Sequence, residues 1–449
     1  TAASACEFAF LRRVDRRLGR DIEVPDADDA MLERAARLGD AHEARVLAGY
    51  VAEFGGGSAG RPGGVVELPP RGAMTEDALA ELARLSRVAL EGGADVVFQA
   101  TFFEPDMPTE GAQPGDPAIG FVGFADFLVR APGGAYEVQD SKLARKAKVP
   151  ALMQLAAYAE QLERIGVPVA PEAVLVLGDG ARSRHRLADI APVFRARRER
   201  LHQLLRARAR AVGADGRYES AAPVAWGAVG IAACGRCEVC APEVVSARDP
   251  LLVAGLRVAQ RDRLVEAGLT TVDAIAAALP DIASGTLTVA GIGQAALERI
   301  AAQAQVQLAA VPGQAPPVRV IDASALGVIP APNPGDLFFD FEGDPLYREP
   351  GPDGAARWGI DYLFGMVDQH EHFTPIWAHD LEAERRALLE FLALVAERRA
   401  QYPGMKIYHY AAYERTHLSS IAARHGEGEE EVDRLLREHV LVDLYPIVR

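Results

Sequence analysis

The chain reads as an α/β multidomain protein. Three observations predict that class. Its 449 residues amount to about three ordinary domains. Strand-like apolar runs are interspersed with amphipathic helical ones. A stretch punctuated by Pro312, Pro316, Pro317, Pro330, Pro332 and Pro334 divides one block of elements from the next. Hydrophobic residues make up 49% and charged residues 25%, a globular balance that excludes a wholly disordered chain. No run approaches the length of a membrane span and no secretory pattern is present, so a cytoplasmic protein without a membrane partner is expected. Acids outnumber bases 63 to 48, for a net charge of −15. A uniformly cationic coat for nucleic acid is excluded, whereas a local basic groove is not.

The first segment, residues 1–243, opens with a helix expected over 28–54, with Met31, Ala35, Leu38, Val46 and Leu47 at its apolar positions. A glycine-rich break at 55–64 and an amphipathic helix over 76–91 follow. Three strand-like runs come next, at 95–103, 119–130 and 135–142. Pro150 opens a helix through Arg164, since proline is well placed in a first turn. A strand over Ala173–Leu177 precedes an arginine-rich helix near 193–211. The second segment, 250–311, is small and all-α, with glycine turns at Gly268 and Gly291–Gly293. Residues 312–335 form the linker. The third segment, 336–449, has strands at 336–342, 359–367 and 371–377, a helix at 381–400, a strand at 405–410 and a helix from 412. An acidic stretch and the apolar run 440–444 end it, so this domain is expected to be C-terminally incomplete.

Of the 48 bases only four are lysines, and three of those, Lys142, Lys146 and Lys148, fall within seven residues. A compact ammonium is not interchangeable with a guanidinium in a confined site. Asp140-Ser141-Lys142 ends a strand, so Asp140 and Lys142 share a face while Glu137 and Gln139 point the other way. A turn at Pro132-Gly133-Gly134 folds this strand against the one carrying Asp126. The two carboxylates can then face one Mg²⁺ or Mn²⁺, cations that prefer hard oxygen ligands. Read alone, the triplet is an ordinary surface Asp–Lys pair. The next helix places Gln154 and Tyr158 at i, i+4 on one face, and His42 stands on the N-terminal helix, where a lone histidine is usually structural.

Gly39 with His42, Asp126, Asp140 with Lys142, and Gln154 with Tyr158 together resemble the RecB-like branch of the PD-(D/E)XK nucleases. The resemblance covers residues 1–243 and implies a restriction-endonuclease-like nuclease core. It further implies His42, Asp126 and Asp140 as metal ligands, Lys142 positioning the attacking water or stabilising developing charge, and Gln154 and Tyr158 touching substrate or bracing the site.

Cys234, Cys237 and Cys240 form a triple spaced like the start of a ferredoxin run, and Cys6 stands alone at the start of the same segment. Buried free thiols are the plain reading, and disulfides are disfavoured in a reducing compartment. Some RecB-like nucleases carry one cysteine before the core and three after it around a [4Fe–4S] cluster. The spacing between Cys237 and Cys240 is narrower than theirs, which keeps zinc as the alternative.

Val289-Ala290-Gly291-Ile292-Gly293 resembles a helix-hairpin-helix turn, whose Gly291 and Gly293 would let backbone N–H groups approach a DNA phosphate. A helical linker with glycine caps is the plain alternative. Arg195, Arg197, Arg198, Arg200, Arg206, Arg208 and Arg210 line one helix, either as a solvated face or as phosphate contacts. Asp340 and Glu342 share a strand face, which is costly on an apolar strand unless metal is bound. With the segment from Tyr408 to Glu414, and with Asp443, they resemble a ribonuclease H-like domain of the DEDD exonuclease type, truncated before its last motif. The whole order resembles bacterial RecB-like nuclease/helicase proteins. It implies a DNA nuclease of repair, recombination or processing, with a helicase beyond Arg449; no phosphate loop occurs within the chain. A noncatalytic DNA-binding adaptor for a helicase and an RNA-directed nuclease are the competing readings.

Overall fold

The structure, a computed structural model, describes residues 2–25, 30–70, 72–107, 112, 116–209, 222–351 and 356–448. It is mixed α/β, and the chain divides into two compact units, residues 1–317 and 318–449, parted within the proline-rich linker.

In the first unit, α1 (Ala2–Ala5) and α2 (Glu7–Arg17) lead into the long α3 (Ala30–Phe54), β1 (Val65–Glu67) and α4 (Glu76–Glu91). Thr75 caps α4 through Ala78 N (3.4 Å), and Glu76 and Asp77 sit in its first turn, where the helix dipole favours them. Next come β2 (Val96–Glu104), β3 (Phe121–Arg130), β4 (Tyr136–Lys142), α5 (Val149–Arg164), β5 (Glu172–Leu177), β6 (Arg182–Arg186) and α6 (Leu187–Ala209). The strands form one mixed sheet in chain order, β1 to β6. Gly133 and Gly134, with φ of 95° and 88°, supply the left-handed residues of the β3–β4 turn. α5 buries Ala151, Leu155, Tyr158 and Leu162 at helical spacing, against Leu128, Val138 and Leu175 of the sheet. α3 covers the other face, packing Tyr50 on Phe127.

α7 (Cys240–Ser246) follows, then α8 (Val258–Glu266), α9 (Val272–Ala277), α10 (Leu279–Ala283) and α11 (Gln294–Leu308). These last four close on a small core of Leu264, Ile275, Ile282, Leu297 and Ala301.

The second unit contains β7 (Leu337–Pro350), β8 (Ala356–Asp368), β9 (Phe373–Trp377), α12 (Leu381–Gln401), β10 (Ile407–His409), α13 (Tyr413–His425), α14 (Glu429–Arg437), β11 (Leu441–Asp443) and α15 (Tyr445–Val448). Its sheet runs β11-β10-β7-β8-β9. β8 is antiparallel to β7 and β9, while β10 is parallel to β7 and β11. Phe391 of α12 stacks on Phe339 at 4.6 Å between centroids.

Two strands lie outside the sequence expectations. β1 has only three residues, and β6, Arg-Ser-Arg-His-Arg, is an edge strand whose charges hide any apolar alternation. β7 continues to Pro350 through two register shifts instead of ending near 342. α6 starts at Leu187, earlier than expected, and runs through Pro192. Arg210, expected on that helix, and residues 28 and 29, expected on α3, lie outside the described residues. Among the described residues no helix is long and apolar enough to cross a membrane.

Candidate functional site

The β2–β3 ladder pairs Phe98 with Phe127 and then Ala100 with Ala125, so Gln99 and Asp126 drop out of the pairing. Gln99 has φ 57°, in the left-handed region. Beyond this irregularity the strand faces exchange, and Leu128 and Ala125, three residues apart, both enter the main core. Asp126 sits at the exchange, with Oδ2 accepting from Ser141 N (2.9 Å) and Ser141 Oγ (3.1 Å). It lies one step past the last β3–β4 pair, Phe127 with Gln139, and therefore beside Asp140.

Asp140 is 1% exposed. Lys142 Nζ approaches its Oδ2 at 2.6 Å as an ion pair. Burial, reinforced by the negative charge of Asp126 and only partly offset by Lys142, pushes the Asp140 carboxyl up to about 7. For Lys142, burial works against the ammonium, but Asp140 and Asp126 outweigh it and raise its pKa. Tyr158 is buried and accepts from Gln154 Nε2 at 3.3 Å; burial, with Asp140 and Asp126 nearby, raises its pKa. Asp126, Asp140, Lys142, Gln154 and Tyr158 are thus brought together.

His42 arrives differently. It is buried on α3, in the layer that covers the Gln139 face, with Nε2 3.1 Å from Val176 O. Contact with a carbonyl makes Nε2 the N–H donor. Among the described residues the four cysteines are the only group of three or more His, Cys, Asp or Glu ligand atoms within 4.8 Å of one another. His42, Asp126 and Asp140 do not form such a set. α3 is held by a polar cluster in which Gln139 accepts from Tyr50 and from Arg182 Nη2 (2.6 Å) and donates to Glu137 (2.5 Å).

Cys6 meets the distant triple in space. Its Sγ lies 3.5 Å from Cys240 Sγ, and Cys234 Sγ lies 3.9 Å from the same atom. Burial opposes ionisation of Cys234, but the backbone N–H groups of Arg236 and Cys237 overcome it and bring this thiol down to about 7.

Gly291 turns with φ 75°, and Gly293 is the N-cap residue of α11. The arginines of α6 are mostly internal partners. Arg198 and Arg195 pair with Glu160, Arg200 with Glu7 (2.8 Å) and Arg208 with Asp15 (2.7 Å), while Arg197 is exposed.

In the second unit Asp340 and Glu342 share a face, as expected, but that face is exposed, so the desolvation cost does not fall on them. It falls on Glu414, which is 2% exposed. Burial, together with Asp340 and Asp443, pushes its carboxyl up to about 7, and Oε2 lies 3.0 Å from His409 Nδ1. Asp443 pairs across the strands with His409, and its Oδ1 accepts from Ala411 N and Tyr445 N, both at 2.9 Å.

Three contributors escaped the sequence reading. Gly123 carries no side chain because a Cβ there would stand 2.7 Å from the Tyr158 ring; a glycine inside a strand was the available signal. Ser141 was passed over between the two charged residues it separates, although it holds Asp126. Buried Asp361 holds His417 Nδ1 at 2.8 Å, and nothing in the local pattern around 361 marks it.

Comparison with protein-family models, with curated proteins and with solved structures found no match to this chain.

Proposed function

We propose that this chain is a Mg²⁺- or Mn²⁺-dependent nuclease that hydrolyses phosphodiester bonds of DNA at Asp126, Asp140 and Lys142. One observation carries the reading. Asp140 buries both carboxylate oxygens beside a second carboxylate, with Lys142 the one ammonium paired to it, in a setting that pushes its pKa up. One ammonium, that of Lys142, does not balance two neighbouring carboxylates, and two carboxylates are the donor set a hard divalent ion selects.

Asp126 and Asp140 would hold that ion, which supplies Lewis acidity toward a phosphoryl oxygen when bound. Ser141, through N and Oγ, fixes the Asp126 carboxylate. Lys142 offers a compact positive charge, 35% exposed, to the charge that accumulates on a phosphate under attack. Gln154 and Tyr158 form the wall next to it, with Gly123 giving the tyrosine ring its room.

The restriction-endonuclease-like core, the helix-hairpin-helix segment and the ribonuclease H-like second unit belong to the same proposal. The order β11-β10-β7-β8-β9, with Asp340 and Glu342 on the central strand and Glu414 and Asp443 near them, supports the last of these. Association with a helicase is likewise proposed from sequence resemblance. A noncatalytic DNA-binding adaptor is favoured by one specific observation, that His42 is not gathered into a ligand set with the two carboxylates.

Labelled single- and double-stranded DNA and RNA, incubated with Mg²⁺, Mn²⁺ or chelator, test the proposal. Cation-dependent cleavage of DNA that disappears in Asp140→Ala is expected. Binding of DNA without cleavage would select the adaptor, and cleavage of RNA alone would select an RNA-directed enzyme.

A further inference from the structure

We infer that Cys6, Cys234, Cys237 and Cys240 hold one tetrahedral ion of the zinc class, and not the [4Fe–4S] cluster that the sequence resemblance implies. The four ligand atoms all lie within 4.8 Å of one another, with separations of 3.5 Å between Cys6 and Cys240 and 3.9 Å between Cys234 and Cys240. Four thiolates at about 2.3 Å from one tetrahedral ion stand about 3.8 Å apart, by the geometry of the tetrahedron. Two of the six separations bracket that edge, and all six lie within 4.8 Å. A cubane binds each thiolate to a different iron, at a different corner and directed outward, so its four sulfurs must stand much farther apart than around a single ion. The set present here is too tight for that.

Local contacts hold the sulfurs at these separations. Gly235 (φ 73°) makes the turn that lets Cys237 N donate to Cys234 Sγ at 3.4 Å. Cys6 Sγ accepts from Cys234 N and from Ala9 N in the first turn of α2, both at 3.4 Å. Cys6 and Cys240 are buried, Cys234 and Cys237 are partly exposed, and the four sulfurs supply all four positions of a tetrahedral ion. That is the character of a structural site, and soft thiolates select zinc over free ferrous iron. The ion would tie the start of α2 to the segment that opens α7, across 228 residues of chain.

The full chain, purified anaerobically from cells supplied with both iron and zinc, is assayed for metals and for acid-labile sulfide. One zinc per chain without sulfide is the expected result. Exchange with Co²⁺ should then give the sulfur-to-cobalt charge-transfer and ligand-field bands of a tetrahedral tetrathiolate. Cys240→Ser should lose the ion; because that residue is buried and its variant can fail to fold, the partly exposed Cys237→Ser is read alongside, with weakened and shifted cobalt bands expected. About four irons and four sulfides per chain would overturn the inference, as would a metal-free chain whose melting temperature is indifferent to chelator. Metal content is read without reference to cleavage, so either outcome leaves the Asp140 proposal standing or falling by its own test.

Discussion

Asp140→Asn keeps the volume of a side chain that is 1% exposed and removes its charge. In chelator the variant is expected to be more stable than the parent, although it should be inactive. The magnitude follows from the carboxyl, pushed from its ordinary 3.8 up to about 7 by burial and by Asp126. At 1.36 kcal/mol per pH unit, ionising it in the folded chain costs about 4 kcal/mol above pH 7. The attraction of Lys142, 2.6 Å away, is already contained in that shift, and the imperfect fit of an amide in the carboxylate's place reduces the gain to about 1–3 kcal/mol. The pH dependence has a definite sign. A raised folded-state pKa means that the folded chain holds this proton more tightly than the unfolded one. The associated stability is fully present below about pH 4 and is lost as pH rises through about 7. Parent and variant should therefore diverge across that window and run parallel above it. Urea denaturation in chelator at a series of pH values measures the difference, and repetition in Mn²⁺ measures the linkage. A cation at 100 times its dissociation constant should restore about 2.7 kcal/mol to the parent and nothing to the variant. An Asn variant no more stable than the parent in chelator near pH 8, or one with an undiminished response to Mn²⁺, would refute the reasoning.

Lys142→Ala should lower cleavage by about 10²-fold or more and, by leaving buried Asp140 without its ion-pair partner, should also lower the melting temperature, and Lys142→Arg should rescue cleavage poorly, because a planar fork does not replace a compact ammonium; single-turnover cleavage and thermal melting measure both. Gly123→Ala places a Cβ 2.7 Å from the Tyr158 ring and 2.9 Å from that of Phe121, and should cost about 1–3 kcal/mol in denaturation as well as cleavage activity. Glu384 is 0% exposed and holds Arg424 and His425 at 2.8 Å and Asp361 N at 2.8 Å. Glu384→Ala should therefore destabilise the unit of residues 318–449 by about 3–5 kcal/mol, whereas Phe373→Ala, half-exposed on an edge strand, should cost far less by the same denaturation measurement.

The helices over Glu76–Glu91 and Val149–Arg164 and the strand ending in Lys142 were legible because their information is local. A capping threonine, a proline in a first turn and an apolar stripe act within one or two turns of chain. The same locality put Asp140 and Lys142 on one strand face and Asp340 and Glu342 on another. β6 was not legible, because an edge strand of alternating arginines pairs through its backbone and leaves no apolar trace. The face of Asp126 was not legible either. Strand alternation is a two-residue rule, and the irregularity at Gln99 breaks it for reasons that lie in the pairing of two strands. For Asp340 and Glu342 the sequence marked the acids but misplaced the burial, which belongs to Glu414 on a helix some seventy residues later.

What the sequence by itself determined was the inventory: which carboxylates, which ammonium, which four thiols, and the local elements that carry them. Tertiary structure alone decided the distances between them. It set Asp126 beside Asp140, turned His42 onto the Val176 carbonyl, committed Arg198 and Arg200 to carboxylates of their own unit, and closed Cys6 onto a triple 228 residues away. The physical reason is one of range. Propensity, capping and periodicity act over a few residues, whereas the desolvation that pushes a carboxyl up to about 7, or the spacing that suits four sulfurs to one ion, depends on groups that meet only when distant segments pack.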